Sequence, residues 1–438
     1  IFDPHKSHLG KALPGSSPGM KIDFGKLKNM RMMKRLKNQF KPFENVFGCN
    51  MSCNFHGTLF RFPLRTASQA QKSEICDKYY SRKECLELLH MTIKAAGNLL
   101  LFTQNVQEIK IFHLSADCKD PQNPKIIYTM SKEHFQDQTQ PEKETNILSY
   151  VSNLKLNGEL GSRPLKRLQK ITILEKIEKY AGSILPSLTK ESGMSFKASW
   201  LISWATGTDE TLKTTFRDVV GALPLGAVAV PFEMRENLLC PVQLKDLPFG
   251  FYKSGHVFCF LPLPIPCNLP VHINGCFAVT SDRRQLMQST EDEKQAQFSN
   301  WNKALIQDAL INAYIFLLEG IRENGAALEY EYYTLWPLEC QKSELHIKET
   351  FFQKIVQLES RLFRRNSFWQ SFDKCIFLDP SFRSDHVIGE IAFETLLTFH
   401  SRNSEVIELP PSVMESIKEC YPNEMKAKIV TKEQFFLS

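Results

Sequence analysis

The chain has 438 residues, 42% hydrophobic and 23% charged, with a formal net charge of +6. Such proportions are ordinary for a soluble globular protein, and the length allows about three domains. No apolar run approaches the roughly 18 residues that a bilayer span needs; prolines break the best candidate, Phe258 to Pro266, and Asp3, His5 and Lys6 interrupt any signal-peptide core. The sequence starts at Ile1 without a methionine and in the middle of a motif, so it reads as a piece of a larger protein. Its 12 cysteines are irregularly spread, which, with no secretory signal, points to reduced thiols in the cytoplasm.

In chain order, "KALPGSSPGM" (11–20) is a loop rich in proline and glycine. A helix is expected over 26–41, with Leu27, Met30, Met33, Leu36 and Phe40 recurring at spacings of three and four. Its other face carries Lys26, Lys28, Arg31, Lys34, Arg35 and Lys37 with no acid. "GTLFRFPLRT" (57–66) alternates, Thr58, Phe60, Phe62 and Leu64 on one face and Arg61 and Arg65 on the other. That pattern predicts a half-buried strand, and Pro63 places it at a sheet edge or strand end. A helix follows with Leu86, Leu89, Ile93, Ala96 and Leu100 on its core stripe.

"IKIFHL" and "KIIYTM" read as short strands and 131–146 as a polar loop, while "SFKASWLISW" alternates Phe196, Ala198, Trp200, Ile202 and Trp204 on one face of another strand. Asp209 is placed to cap a further helix. "HVFCFLPLPIPCNLPVHINGCFAVTSDRRQL" (256–286) reads as a proline-stiffened strand pair ending on paired arginines. From about 291 the pattern turns mostly helical, and no internal repeat is visible. The expected fold class is α/β (α+β): mixed for the first two thirds, helix-rich thereafter.

Few residues nominate chemistry. Cys49, Cys53 and His56 cluster, but a structural zinc site needs four ligands and no second knuckle follows; His5 and His8 fail for the same reason. The basic face of 26–41 fits either a solvated helix or a surface for phosphate, nucleic acid or an acidic protein. "ATGTDET" is no P-loop, and G-x-S-x-G, H-E-x-x-H and G-x-G-x-x-G are absent, so the chain holds no recognisable complete active site. Arg283 and Arg284 stand out. Either they are surface arginines paired with Asp282 or Glu291, or their planar forks match phosphate oxygens on a nucleotide held by another domain.

Several of these segments resemble the repeating regions of the sacsin family, which are related to the heat-shock chaperone ATPases of the GHKL type. The likeness is carried by "FDPH" (2–5), "NQFKPF" (38–43), "GTLFRFPLRT", the 258–284 segment, "WNKALIQDALINAY" (301–314) and "ELPPSVMESI" (408–417). It implies the C-terminal portion of an ATPase sandwich in 1–105, an α/β middle domain in 106–290 and a helix-rich domain in 291–438. Gly57 and Thr58 would then contribute to an ATP pocket. Arg283 or Arg284, near Ser281, Leu286 and Gln288, would reach the terminal phosphate, though the spacing leaves open which. The cofactor implied is ATP with Mg2+. The partners implied are client proteins and other chaperones, of the seventy-kilodalton heat-shock class; the lack of aromatic residues interleaved with the basic ones of 26–41 argues against nucleic acid, and the short apolar runs argue against a membrane. The glutamate- and asparagine-bearing helix and the D-x-G-x-G loop of such ATPases are not among the 438 residues, so the chain by itself is expected to bind ATP weakly or not at all. The alternative function is a non-catalytic interaction scaffold with a degenerate nucleotide site.

Overall fold

A computed structural model describes residues 23, 26, 31, 34, 37–50, 53–115, 117–118, 120, 122–134, 146–156, 165–207, 223–288, 293–325, 331–338, 345–365, 368–384, 386–400 and 405–437. The FDPH segment, His5, His8, most of the apolar stripe of 26–41 and the helix expected after Asp209 lie outside them. Lys37–Phe40, at the end of the basic stretch, is helical. The fold is mixed α/β, with a large sheet and several helices. The chain forms two compact units: residues 1–93, 110–129 and 177–194 in the first, and 94–109, 130–176 and 195–438 in the second.

In the first unit, helix α1 (Arg82–Lys94) starts where Ser81 and Glu84 cap each other, the Ser81 N–H donating to Glu84 Oε2 at 2.7 Å and the Glu84 N–H to Ser81 Oγ at 3.3 Å. These bonds from Ser81 hold the Glu84 carboxyl below its ordinary range. Ile93 of the expected stripe is buried, whereas Leu86 and Leu89 are half-buried. Strands β1 (Glu108–His113) and β2 (Lys125–His134) are neighbours, β2 running further than its apolar core suggests. Tyr180 links parts of this unit, its hydroxyl 3.3 Å from His113 Nδ1 and its ring under Lys125 Nζ at 4.4 Å.

The expected strand at 57–66 is corrected by the structure. No strand is assigned there, and Phe60, Phe62 and Leu64 are 72%, 82% and 58% exposed. Phe60 and Phe62 do share a face, stacked 6.1 Å apart. The alternation is present, but no described residue offers the ladder of backbone partners that makes a strand.

The second unit is built on β3 (Lys166–Ile177), β4 (Ser195–Thr206), β5 (Leu225–Arg235), β6 (Leu238–Pro241), β7 (His256–Cys259), β8 (Leu261–Pro266) and β9 (His272–Gly275). Their order is β3-β4-β5-β9-β7-β8, with β6 also on β5. The β7–β9 pair is parallel, whereas β3–β4, β4–β5, β5–β6, β5–β9 and β7–β8 are antiparallel. β4 and β5 are buried on both faces over most of their length, because side chains cover each side of the sheet.

A long helix lies on it: α3 (Glu293–Leu305) passes through a wide π turn at Ile306–Leu310 into α4 (Ile311–Asn324), α2 (Ile147–Leu156) preceding them in the chain. A Cβ on Gly226 of β5 would lie 2.7 Å from the Leu310 backbone nitrogen, so glycine lets helix backbone and strand backbone meet. The stretch 296–324 is long and apolar enough to cross a membrane, contrary to the expectation from sequence, yet 78% of its most apolar window is buried in the fold.

The C-terminal third also departs from expectation. Besides α5 (Ile347–Gln357), α6 (His386–His400) and α7 (Pro411–Cys420), it contains the hairpin β10 (Phe363–Arg365) and β11 (Phe368–Gln370) and a parallel three-stranded sheet. In that sheet β12 (Cys375–Leu378) lies between β13 (Glu405–Ile407) and β14 (Ile429–Val430). Trp336, 1% exposed, anchors the surrounding core against Tyr333, Phe351 and Phe363 at ring separations of 5.2 to 5.5 Å.

Candidate functional site

The proline stretch folds as the hairpin β7–β8, and β9 returns alongside β7. Pro262, Pro264 and Pro266 occupy alternate positions of β8, removing backbone donors along one edge and fixing φ. The hairpin turns at Phe260, whose φ of +60° is in the left-handed region and whose N–H donates to Asn274 Oδ1 of β9 at 2.7 Å. Three short strands are thereby tied at one end.

Past Gly275 the chain leaves the sheet, and α3 pins it. Trp301 Nε1 donates to the Cys276 carbonyl at 2.8 Å, while Asn302 accepts from the Ala278 N–H and donates to the Ala278 carbonyl, both at 2.8 Å. A bridge between Val279 and Leu286 then closes a tight turn carrying both arginines. Inside it, the Thr280 N–H donates to the Gln285 carbonyl at 2.9 Å and the Arg283 N–H to the Thr280 carbonyl at 2.8 Å. The Thr280 hydroxyl donates to Asp282 Oδ1 at 2.6 Å, and the Arg284 N–H to the same oxygen at 3.2 Å. These bonds, Thr280 first, hold the Asp282 carboxyl below its ordinary range.

The two arginines differ. Arg283 has a φ of +56°, a left-handed conformation uncommon outside glycine, and its Nη2 donates to the Cys259 carbonyl beside the hairpin turn at 2.9 Å. Arg284 extends outward, its Nε 4.0 Å from Asp282 Oδ2, with side-chain exposures of 77% and 60%. Burial pushes the nearby Cys259 thiol up, against the pull of Arg283, and pushes Cys276 up to about 12. Both stay protonated near neutrality and are poor nucleophiles. The site can therefore bind and orient an anion; it holds no nucleophile–base pair.

Gly57 and Thr58 belong to the first unit and are exposed, while Arg283 and Arg284 belong to the second. Cys49 is buried, and Cys53 and His56 are exposed. Among the described residues no group of three His, Cys, Asp or Glu could hold a metal ion. Sequence reasoning missed Asn302 and the Cys259 carbonyl as supports of the turn, since neither residue type advertises such a role. It also missed a buried polar layer in the second unit. There His272 Nδ1 accepts the His256 N–H at 3.2 Å and its ring stacks 5.3 Å from Trp200. Burial drives His272 down to about 3, so it is neutral with its proton on Nε2. The signal available was the alternation of His272 with Asn274 in a strand flanked by apolar residues.

Residues 1–125 match the family model described as the Sacsin domain. Sacsin of Homo sapiens is 26% identical over 499 aligned residues, covering 100% of this chain and 10% of the human protein. The chain thus spans about a tenth of the length of that relative. No solved structure matches it. The arginine turn lies beyond the matched domain, within the longer alignment. Residues 1–125 are thus similar to the Sacsin domain, and the whole chain is similar to a stretch of human Sacsin.

Proposed function

We propose that the chain is part of a sacsin-like chaperone module in which nucleotide state governs the handling of client proteins in protein quality control. The observation that carries this reading is the turn at 280–285. The turn carries two adjacent arginines, Arg283 tied to the hairpin and Arg284 facing outward, on a support fixed by Asn302, Trp301 and the proline hairpin. Positively charged side chains held in place before the reaction stabilise charge on a transferred phosphoryl group without reorganisation at that moment. In this reading residues 1–105 complete a GHKL-type ATPase sandwich to which Gly57 and Thr58 contribute, 106–290 are the middle domain and 291–438 the helix-rich domain. ATP with Mg2+ is the cofactor, and other chaperones and cytoplasmic clients are the partners.

The test is ATP hydrolysis by a polypeptide spanning a complete repeat, with Arg283→Ala and Arg284→Ala singly and together. Loss of about a hundredfold in turnover for the double variant is expected from removing a phosphate-facing cation; unchanged turnover ends the mechanistic part of the reading.

A second reading, an interaction scaffold with a degenerate nucleotide site, draws on the exposed, stacked Phe60 and Phe62 with Leu64. Partner capture that ignores nucleotide and both arginine substitutions but is lost in Phe60→Ser with Phe62→Ser would favour it.

A further inference from the structure

We propose that the arginine pair divides its work: Arg284 is the side chain that meets a phosphate group, Asp282 holds it in reserve, and Arg283 is a positioning residue that locks the turn to the proline hairpin. The assignment rests on the proposed function, in which this turn faces a phosphate.

Three observations carry it. Arg283 is committed by backbone and side chain together, with a left-handed φ of +56°, an N–H given to the Thr280 carbonyl and Nη2 given to the Cys259 carbonyl. A guanidinium tied this way loses rotamers and cannot swing to a ligand without releasing the turn from the hairpin. Arg284, one residue on, has a backbone fixed by Asp282 Oδ1 and a side chain 77% exposed. Lastly, the carboxylate facing it is already engaged. Asp282 Oδ1 accepts from the Thr280 hydroxyl and the Arg284 N–H, leaving Oδ2 to face the guanidinium at 4.0 Å. An exposed single-point ion pair at that distance is weak, whereas a phosphate presents several oxygens for two-point contact with the fork. Phosphate therefore displaces Asp282 from Arg284 without disturbing the bonds that shape the turn.

The test is a phosphorus-31 NMR titration of a polypeptide spanning a complete repeat with sodium tripolyphosphate at low salt, circular dichroism confirming that each variant folds. Arg284→Ala should weaken binding about tenfold, with part of the loss restored by Arg284→Lys, which keeps the charge but not the fork. Asp282→Asn keeps an acceptor for Thr280 and for the Arg284 N–H; it should tighten binding about threefold when Arg284 is present and change nothing in the Arg284→Ala background. Arg283→Lys, able to reach the Cys259 carbonyl, should bind like the parent. If the Arg284→Ala protein binds like the parent while the double Arg283→Ala, Arg284→Ala protein does not, the division of work is wrong and the phosphate reading survives. An equal effect of Asp282→Asn in both backgrounds overturns the division in the same way. If the parent shows no saturable binding, or the double variant binds like the parent, both the division and the phosphate-facing role of the turn fall.

Discussion

The Asn98 side chain clamps the backbone at Gly250: its Nδ2 donates to the Gly250 carbonyl at 3.3 Å, beside the Gly97 N–H, which reaches the same oxygen at 3.1 Å. Asn98 is fully buried, and its Oδ1 accepts the Tyr252 N–H at 3.2 Å. One carboxamide stitches two segments that lie far apart in the chain. Asn98→Ala would leave the Tyr252 N–H without its acceptor in a dry site and should cost about 3 kcal/mol. Gly250→Ala should cost a similar amount, about 3 kcal/mol, because its Cβ would strike the Glu175 carboxylate and its φ of +91° strains any L side chain. Urea unfolding of both variants checks this; a shift equivalent to under half that value for each would show that the stitch is dispensable.

A second buried contact joins the long helix to α5. Lys354 Nζ lies 3.2 Å from Asp308 Oδ1, with side-chain exposures of 25% and 4%, and Asn312 Nδ2 also donates to that oxygen at 2.7 Å. Replacing the lysine leaves a buried carboxylate without that cation, whereas replacing both members removes the problem together with the bond. Lys354→Met alone should therefore destabilise by about 2 kcal/mol, the partial exposure of the lysine admitting water. Adding Asp308→Leu should recover part of that loss, measured as unfolding free energy at pH 7.

Acid should loosen the sheet through His272. Its folded-state pKa is pushed down to about 3 from an ordinary 6.5 by burial, with His256 adding a smaller effect in the same direction. The unfolded chain thus takes up a proton below pH 6.5 that the folded chain refuses. Stability is fully present above that pH and falls as the pH drops from 6.5 towards 3. Between pH 7 and 5 the loss from this group should approach about 2 kcal/mol. His272→Gln should flatten the dependence, read as the urea midpoint at the two pH values; an unchanged slope would assign it to other groups.

Lys132 extends the same rise of stability with pH into the alkaline range. It is buried, with its Nζ donating to the carbonyls of Leu100 and Thr103, and burial lowers its pKa from 10.5 to about 8. A neutral amine still has two hydrogens for those two carbonyls. Between pH 8 and 10.5 the unfolded chain holds a proton that the folded chain has released, so stability rises across that window. From pH 7.5 to 9.5 the gain should be about 1 to 2 kcal/mol relative to Lys132→Met, measured by parallel denaturant titrations below the range where buried tyrosines ionise.

How far the sequence revealed the fold depended on how local each signal was. β4 was legible because five alternating apolar residues, Phe196 to Trp204, carry their own period; that both its faces would be buried was not, since this depends on helices far along the chain. "GTLFRFPLRT" shows the limit of the same logic, because alternation describes a side-chain arrangement and a strand also needs a neighbour's backbone. β12, β13 and β14 were invisible, each only two to four residues long and paired across gaps of tens of residues. At the candidate site the guanidinium pair could be read directly. The difference between its members could not, because it rests on a left-handed backbone at Arg283 and a carbonyl 24 residues earlier.

The π turn at Ile306–Leu310 also acts as a phase shifter. It fits one more residue into a turn than a regular helix would, so α3 and α4 present faces that one continuous α-helix could not align. Upstream, Trp301 and Asn302 aim at the backbone behind the arginine turn; downstream, Tyr314 gives its hydroxyl to the Leu335 carbonyl at 2.6 Å, and Gly320 accommodates Leu168 of β3. Deleting a single residue from 306–310 would regularise the helix yet rotate one half against the other by about 100°. The apparently smoother helix would keep either the clasp on the arginine turn or the seat on the sheet, and lose the other.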